Sequence, residues 1–226
     1  MEECIRKLLH GFHNFQETYF SGNSELFAQL HHGQHPRVLV IACSDSRVDP
    51  ALLTSCDPGD IFVIRNVANL VPPYEPGTGH FHGVSAALEY AVRVLKVEHI
   101  IILGHSDCGG VRTLLDPGMD FSGSEFLKTW LSLLEPVRKK VETYLPDAPH
   151  STRCRACEEM SLVQGLKNLL TFPWVREAVE SRQLFLHGWY FHLTRGVLYS
   201  YNRSTREFQV LTGHDQDYNH SWEVAK

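Results

Sequence analysis

Arg37-Val38-Leu39-Val40-Ile41-Ala42-Cys43-Ser44-Asp45-Ser46-Arg47 is the stretch that decides the fold. Its apolar run is unbroken from Val38 to Ala42, then gives way to a thiol, two serines and an Asp/Arg pair. A short continuous apolar run bounded by turn residues reads as a strand buried on both faces, as in a parallel sheet covered by helices. Ile100-Ile101-Ile102-Leu103-Gly104-His105-Ser106-Asp107-Cys108 has the same form and again ends in residues that carry chemistry. Two buried strands would thus deliver Cys43, His105 and Cys108 from their carboxyl ends, where open parallel sheets place their binding crevices.

Outward from these two strands the chain alternates between strand and helix. After Cys43 a short helix begins near Asp49-Pro50, with proline in the tolerated first turn. A further strand is expected at 60–65, an amphipathic helix at 79–96, and the strand leading to His105 at 98–104. Units of this kind imply a parallel sheet with right-handed crossovers. Residues 122–180 read as helical with interruptions at Pro136, Pro146, Pro149 and Pro173, and strands follow at 184–191 and 196–201. At the start, Ile5, Leu8, Leu9, Phe12 and Phe15, then Leu26, Phe27 and Leu30, fall at helical spacing around a break at Ser21-Gly22-Asn23-Ser24. They predict two packing helices that cover a core or a neighbouring subunit. The expected fold class is α/β: a central, mainly parallel β-sheet flanked by helices, with an N-terminal helical arm and C-terminal strands. One domain is expected over 1–226, divided into the arm (1–33), a catalytic core (34–211) and a polar tail (212–226).

Composition narrows the function classes. Hydrophobic residues make up 43% and charged residues 21% of the 226 residues, as in a globular protein with a real core. A formal charge of −5 and a pI near 6.3 give no electrostatic basis for binding nucleic acid or anionic membranes. No apolar stretch approaches the roughly 18–20 residues that span a bilayer. The start, Met1-Glu2-Glu3-Cys4-Ile5-Arg6-Lys7, lacks the layout of a secretory signal. The six cysteines are not spaced as a disulfide scaffold, and metal-ligating thiolates fare best in a reducing compartment. The expectation is an intracellular, cytoplasmic protein.

Two thiols and one imidazole are a known ligand set for a catalytic zinc ion with its fourth position open. His105 and Cys108 are three apart, so one turn can direct both at the same ion. Gly109-Gly110 permits close approach as the next helix begins, and that helix N-terminus favours a Cys108 thiolate. Two thiolates neutralise zinc formally, so a neighbouring group must orient the hydroxide that the metal makes available. Asp45 is suited to accept its hydrogen bond. Arg47 is suited to keep Asp45 ionised and off the metal. The competing reading is an inert four-coordinate site made by Cys43, Asp45, His105 and Cys108.

At these residues the chain resembles the β-class carbonic anhydrases. The resemblance runs from about Phe12 to Leu211 and rests on Cys43-Ser44-Asp45-Ser46-Arg47, Val63-Ile64-Arg65-Asn66-Val67-Ala68-Asn69 and Gly104-His105-Ser106-Asp107-Cys108-Gly109-Gly110. It implies reversible hydration of carbon dioxide to bicarbonate and a proton, with one Zn2+ per chain, on a homodimer or higher even-numbered homo-oligomer. Cys43, His105 and Cys108 match the family's zinc ligands, and Asp45 with Arg47 its catalytic pair. Gln34, Phe62, Val67 and Tyr90 fall at positions resembling the plant-type substrate pocket, Gln34 as a hydrogen-bonding group and the others as an apolar wall. Gly109 would offer a backbone donor at the mouth. The branch with a regulatory bicarbonate pocket carries Trp three residues before its first Cys, where this chain has Val40. That departure predicts a site that stays open at neutral pH.

Two alternatives use the same residues. Hydrolysis of carbonyl sulfide or carbon disulfide would share the zinc chemistry and differ in pocket width. A non-catalytic, zinc-stabilised interaction protein would have no use for Asp45, Arg47 and Gln34 together. His80 and His82 are candidate proton relays. Cys154 and Cys157, like Cys4 and Cys56, read as packing or surface thiols. His31-His32-Gly33-Gln34-His35 reads as a polar loop, and Trp189, Tyr190 and Phe191 as a core or subunit-contact strand.

Overall fold

The computed structural model describes residues 2–21, 25–76, 82–116, 118 and 123–213. The chain divides into two compact units, Met1–His35 and Pro36–Lys226.

The first unit holds two helices, α1 (Glu3–Phe20) and α2 (Glu25–Leu30). They meet through aromatic rings: Phe27 stacks on Phe20 at 4.7 Å between centroids and lies edge-on to Phe15 and Tyr19. The amphipathic spacing is real, yet Ile5, Leu8, Leu9 and Phe12 are exposed. Of the expected break, Gly22, Asn23 and Ser24 lie outside the described residues.

In the second unit the elements run β1 (Val38–Cys43), α3 (Pro50–Thr54), β2 (Ile61–Asn66), α4 (Gly83–Glu89), β3 (His99–His105), α5 (Gly109–Leu115), α6 (Leu127–Leu131), α7 (Glu135–Tyr144), α8 (His150–Leu169), α9 (Pro173–Glu180), β4 (Phe185–His192), β5 (Val197–Asn202) and β6 (Glu207–Thr212). They build a six-stranded sheet in the order β2-β1-β3-β4-β5-β6. β2, β1, β3 and β4 are mutually parallel, and β4, β5 and β6 close the sheet as an antiparallel meander. The expected α/β class with a mainly parallel sheet and C-terminal strands is what forms.

Burial explains the continuous apolar runs. Side chains alternate across a strand, so Leu39, Ile41, Ile100 and Ile102 join one core cluster with Leu162, Leu166 and Leu169 of α8. Val40, Ala42, Ile101 and Leu103 fill the other face with Trp189 and Leu198 packed against them. α8 lies close on β3: a Cβ added at Gly165 would come within 2.8 Å of Ile102 Cδ1. The prolines fall where a missing N–H costs least. Pro50 and Pro173 open α3 and α9, Pro136 is in the first turn of α7, and Pro149 precedes α8.

Two boundaries differ from the sequence reading. The helix expected over 79–96 is described from Gly83, passes into a wider π turn over Tyr90–Leu95, and ends at Lys96 in a left-handed conformation. A sixth strand, β6, continues to Thr212, past the boundary expected at Leu211. It is an edge strand of which only Phe208 is buried, so it leaves little apolar signal in the sequence. The expected tail from residue 214 onward lies outside the described residues.

Candidate metal centre

β1 and β3 are direct neighbours, with Ala42 opposite Leu103, so their last residues, Cys43 and His105, emerge side by side. From β1 the chain goes to β2 on one side, then crosses to β3 on the other. The site therefore sits at the topological switch point of the sheet. Cys108 joins through the turn at Asp107, whose φ of 57° is left-handed. The two Sγ atoms and a ring nitrogen of His105 all lie within 4.8 Å of one another, and all three residues are buried.

The imidazole is fixed in one tautomer. His105 Nδ1 donates to the Ser106 carbonyl at 2.9 Å, which leaves Nε2 as the acceptor. Nε2 is buried with no hydrogen-bond partner. An orphaned buried acceptor is costly; one aimed among two thiols fits a tetrahedral zinc ion.

The two thiols act on each other. The hydrogen bond from Cys108 lowers Cys43 to about 4 against the opposing effect of burial, with the Asp45 and Ala68 amides also favouring its thiolate. The same bond, together with burial, pushes Cys108 far up, although the Val111 amide of α5 works the other way. For His105, burial disfavours the imidazolium, but the Cys43 thiolate and Asp45 outweigh it and the net shift is upward.

Asp45 is gripped by a guanidinium fork. Arg47 Nε donates to Oδ1 at 2.9 Å and Nη2 to Oδ2 at 2.7 Å, while the Arg47 amide also donates to Oδ1. These bonds hold the carboxyl well below the usual carboxylate range against partial burial. Arg47 Nη2 also reaches the Asp107 carbonyl at 3.0 Å, tying the two ligand loops together. Asp45 Oδ2 stands 3.9 Å from His105 Nε2.

The remaining expected site residues are placed unevenly. Val67 directly follows β2 and packs beside α5: a Cβ on Gly110 would lie 3.0 Å from Val67 Cγ1. Gly109 is exposed as the first residue of α5, next to Cys108. Phe62 and Tyr90 meet each other, with centroids 5.9 Å apart. Phe62 pairs with Leu39, four residues before Cys43 in the β1 register. At about 3.3 Å per residue that is about 13 Å along the strand from the ligand cluster. Gln34 belongs to the first unit. His82 is exposed on a groove of about 810 Å³ that Val67 and Trp130 also line, and His80 lies outside the described residues.

Three neighbours of the cluster were given no role by the sequence, although Arg65 and Asn66 lie within one of its motifs. Arg65 donates to the Cys43 carbonyl, the Asp45 carbonyl and the Asp49 carboxylate, stapling the whole loop after β1. Asn66 bonds both the amide and the carbonyl of Leu70. That bracket holds Ala68 and Asn69 at φ 64° and 48°, an uncommon pair of left-handed non-glycine residues. Glu158, buried in α8, accepts from the Cys108 amide at 2.9 Å, and burial pushes its carboxyl up to about 7. The signal available for Glu158 was an acidic pair, Glu158-Glu159, set between the apolar residues Ala156-Cys157 and Met160.

The carbonic anhydrase family model matches residues 38–198, which include every residue of the ligand cluster. A carbonic anhydrase of Synechocystis sp. is 37% identical over 204 residues, covering 90% of this chain and 73% of that protein. The chain belongs to the β-class carbonic anhydrases. The solved β-carbonic anhydrase CcaA superposes with a TM-score of 0.87 at 35% identity, covering 94% of each chain. A tetrameric β-carbonic anhydrase of Sordaria macrospora gives 0.78 at 33% identity, covering 88% of this chain and 97% of that one. Like its family the chain is an enzyme, a carbonate dehydratase of the lyase class. Among the described residues no helix is long and apolar enough to cross a membrane.

Proposed function

We propose that this chain hydrates carbon dioxide reversibly to bicarbonate and a proton at one zinc ion held by Cys43, His105 and Cys108. The observation that carries the reading is the buried, unpartnered His105 Nε2 facing two thiols, beside a carboxylate locked by Arg47. A bound zinc would supply Lewis acidity and a nucleophile derived from water near neutral pH.

The chain's own residues do the rest. Asp45 stays ionised and accepts a hydrogen bond from the attacking group, which fixes its orientation. Arg47 prevents Asp45 from turning into the open ligand position. Val67 gives the nonpolar gas an apolar contact beside the cluster, and the Gly109 amide offers bicarbonate a donor. Phe62 and Tyr90 extend the apolar wall, and Gln34 hydrogen-bonds the substrate. The distance of Phe62 from the cluster of its own chain favours a wall completed by a second copy, across the β2 edge of the sheet where Val63 is exposed and the exposed Tyr90 meets Phe62. An even-numbered homo-oligomer accords with the tetrameric Sordaria relative. The Asp45–Arg47 fork supports a site that is open at neutral pH, as Val40 implies. We place the enzyme in the cytoplasm.

Stopped-flow hydration of carbon dioxide from pH 6.5 to 9, on protein of measured zinc content, tests the reading. Activity proportional to one zinc per chain is expected. A zinc-loaded protein inactive throughout would refute it.

A further inference from the structure

α8 buries a charged residue, Glu158, which is only 4% exposed. Each of its carboxylate oxygens has one partner. Oε1 accepts from the backbone N–H of Cys108 at 2.9 Å, and Oε2 accepts from the Tyr190 hydroxyl at 2.8 Å. Tyr190 is itself fully buried, on β4 opposite Gly104 of β3. One carboxylate therefore joins a helix, a core strand and the turn that presents a ligand.

Burying a carboxyl group is expensive, and a leucine would fill similar space without that penalty. What leucine lacks is an acceptor. Cys108 immediately precedes α5, so its amide has no partner within that helix and would be orphaned in a buried turn. We propose that Glu158 is a positioning residue for Cys108: it fixes the backbone of the ligand turn so that Sγ meets Cys43 and His105. Glu158 acts through Cys108 and does not touch substrate. Tyr190 holds Glu158 in place from the core side. The inference rests on the zinc reading above and adds a residue to it.

The test measures zinc release to a chromophoric chelator and the thiolate-to-cobalt absorption of the Co2+-substituted full chain. Loss of a group that orients a ligand typically weakens metal binding by about 10–100-fold. E158L should release zinc faster by about that factor and alter the cobalt band. E158Q keeps an oxygen for the Cys108 amide, and its release should stay within about threefold of wild type. Y190F deletes only the hydroxyl that pins Oε2, should accelerate release several-fold, and carries the test if E158L does not fold. Wild-type release and an unchanged cobalt band in folded E158L, or in Y190F in its stead, would overturn the proposal even if thermal stability fell. A wild-type chain that took up neither zinc nor cobalt would remove the zinc reading itself, a distinguishable failure.

Discussion

Arg47→Ala isolates the restraint on Asp45. The substitution removes two side-chain bonds to the carboxylate, at 2.9 and 2.7 Å, and a third to the Asp107 carbonyl at 3.0 Å. Charge-assisted bonds contribute about 1.5–3 kcal/mol each when well shielded. Here the Arg47 side chain is 52% exposed, so screening brings each nearer to about 1 kcal/mol. The fork on Asp45 is then worth about 2 kcal/mol, or about 30-fold in the balance between a carboxylate held aside and one free to turn. The turn is short, since Oδ2 is already 3.9 Å from His105 Nε2. Stopped-flow hydration at pH 8 should show turnover lowered by up to about 30-fold while zinc content stays at the wild-type level. Arg47→Lys keeps the charge but not the fork, and should fall between the two. Wild-type turnover in R47A, at full zinc content, would refute the argument that the fork keeps the site open.

Cys43→Ala should lose zinc and thermal stability together, because metal binding is linked to folding; elemental analysis beside a melting curve checks this, and a fully loaded mutant would remove Cys43 from the ligand set. Asp45→Asn should keep its zinc but lose most hydration activity, read in the same stopped-flow assay. Because the folded carboxyl of Asp45 lies below its unfolded value of about 3.9, its stabilisation is present above that pH and fades as pH falls through the folded value. The stability gap between wild type and D45N should accordingly close below about pH 4 in acid unfolding curves. Leu162→Ala, in a fully buried position between α8 and β3, should cost about 2–5 kcal/mol in urea unfolding without changing the ligand geometry at the strand ends.

The sequence by itself determined the α/β class, since the continuous runs at Val38–Ala42 and Ile100–Leu103 are stable only between two apolar layers. It also made Cys43, His105 and Cys108 legible as one donor set, because each follows an apolar run or sits three residues from a partner that does. Asp45 and Arg47 were legible for the same local reason. What lay farther apart was decided by the tertiary structure. Glu158 stands 50 residues from Cys108, and nothing in local spacing announces a bond made when α8 folds over β3. Arg65 reaches back 22 residues to the Cys43 carbonyl, a contact created by the parallel pairing of β1 and β2. How the two thiols act on each other was likewise beyond sequence. It depends on Cys43 and Cys108 meeting in a buried space beside His105. Motifs record chemistry carried by neighbours along the chain, whereas orientation, protonation and strain arise from groups that only packing brings together.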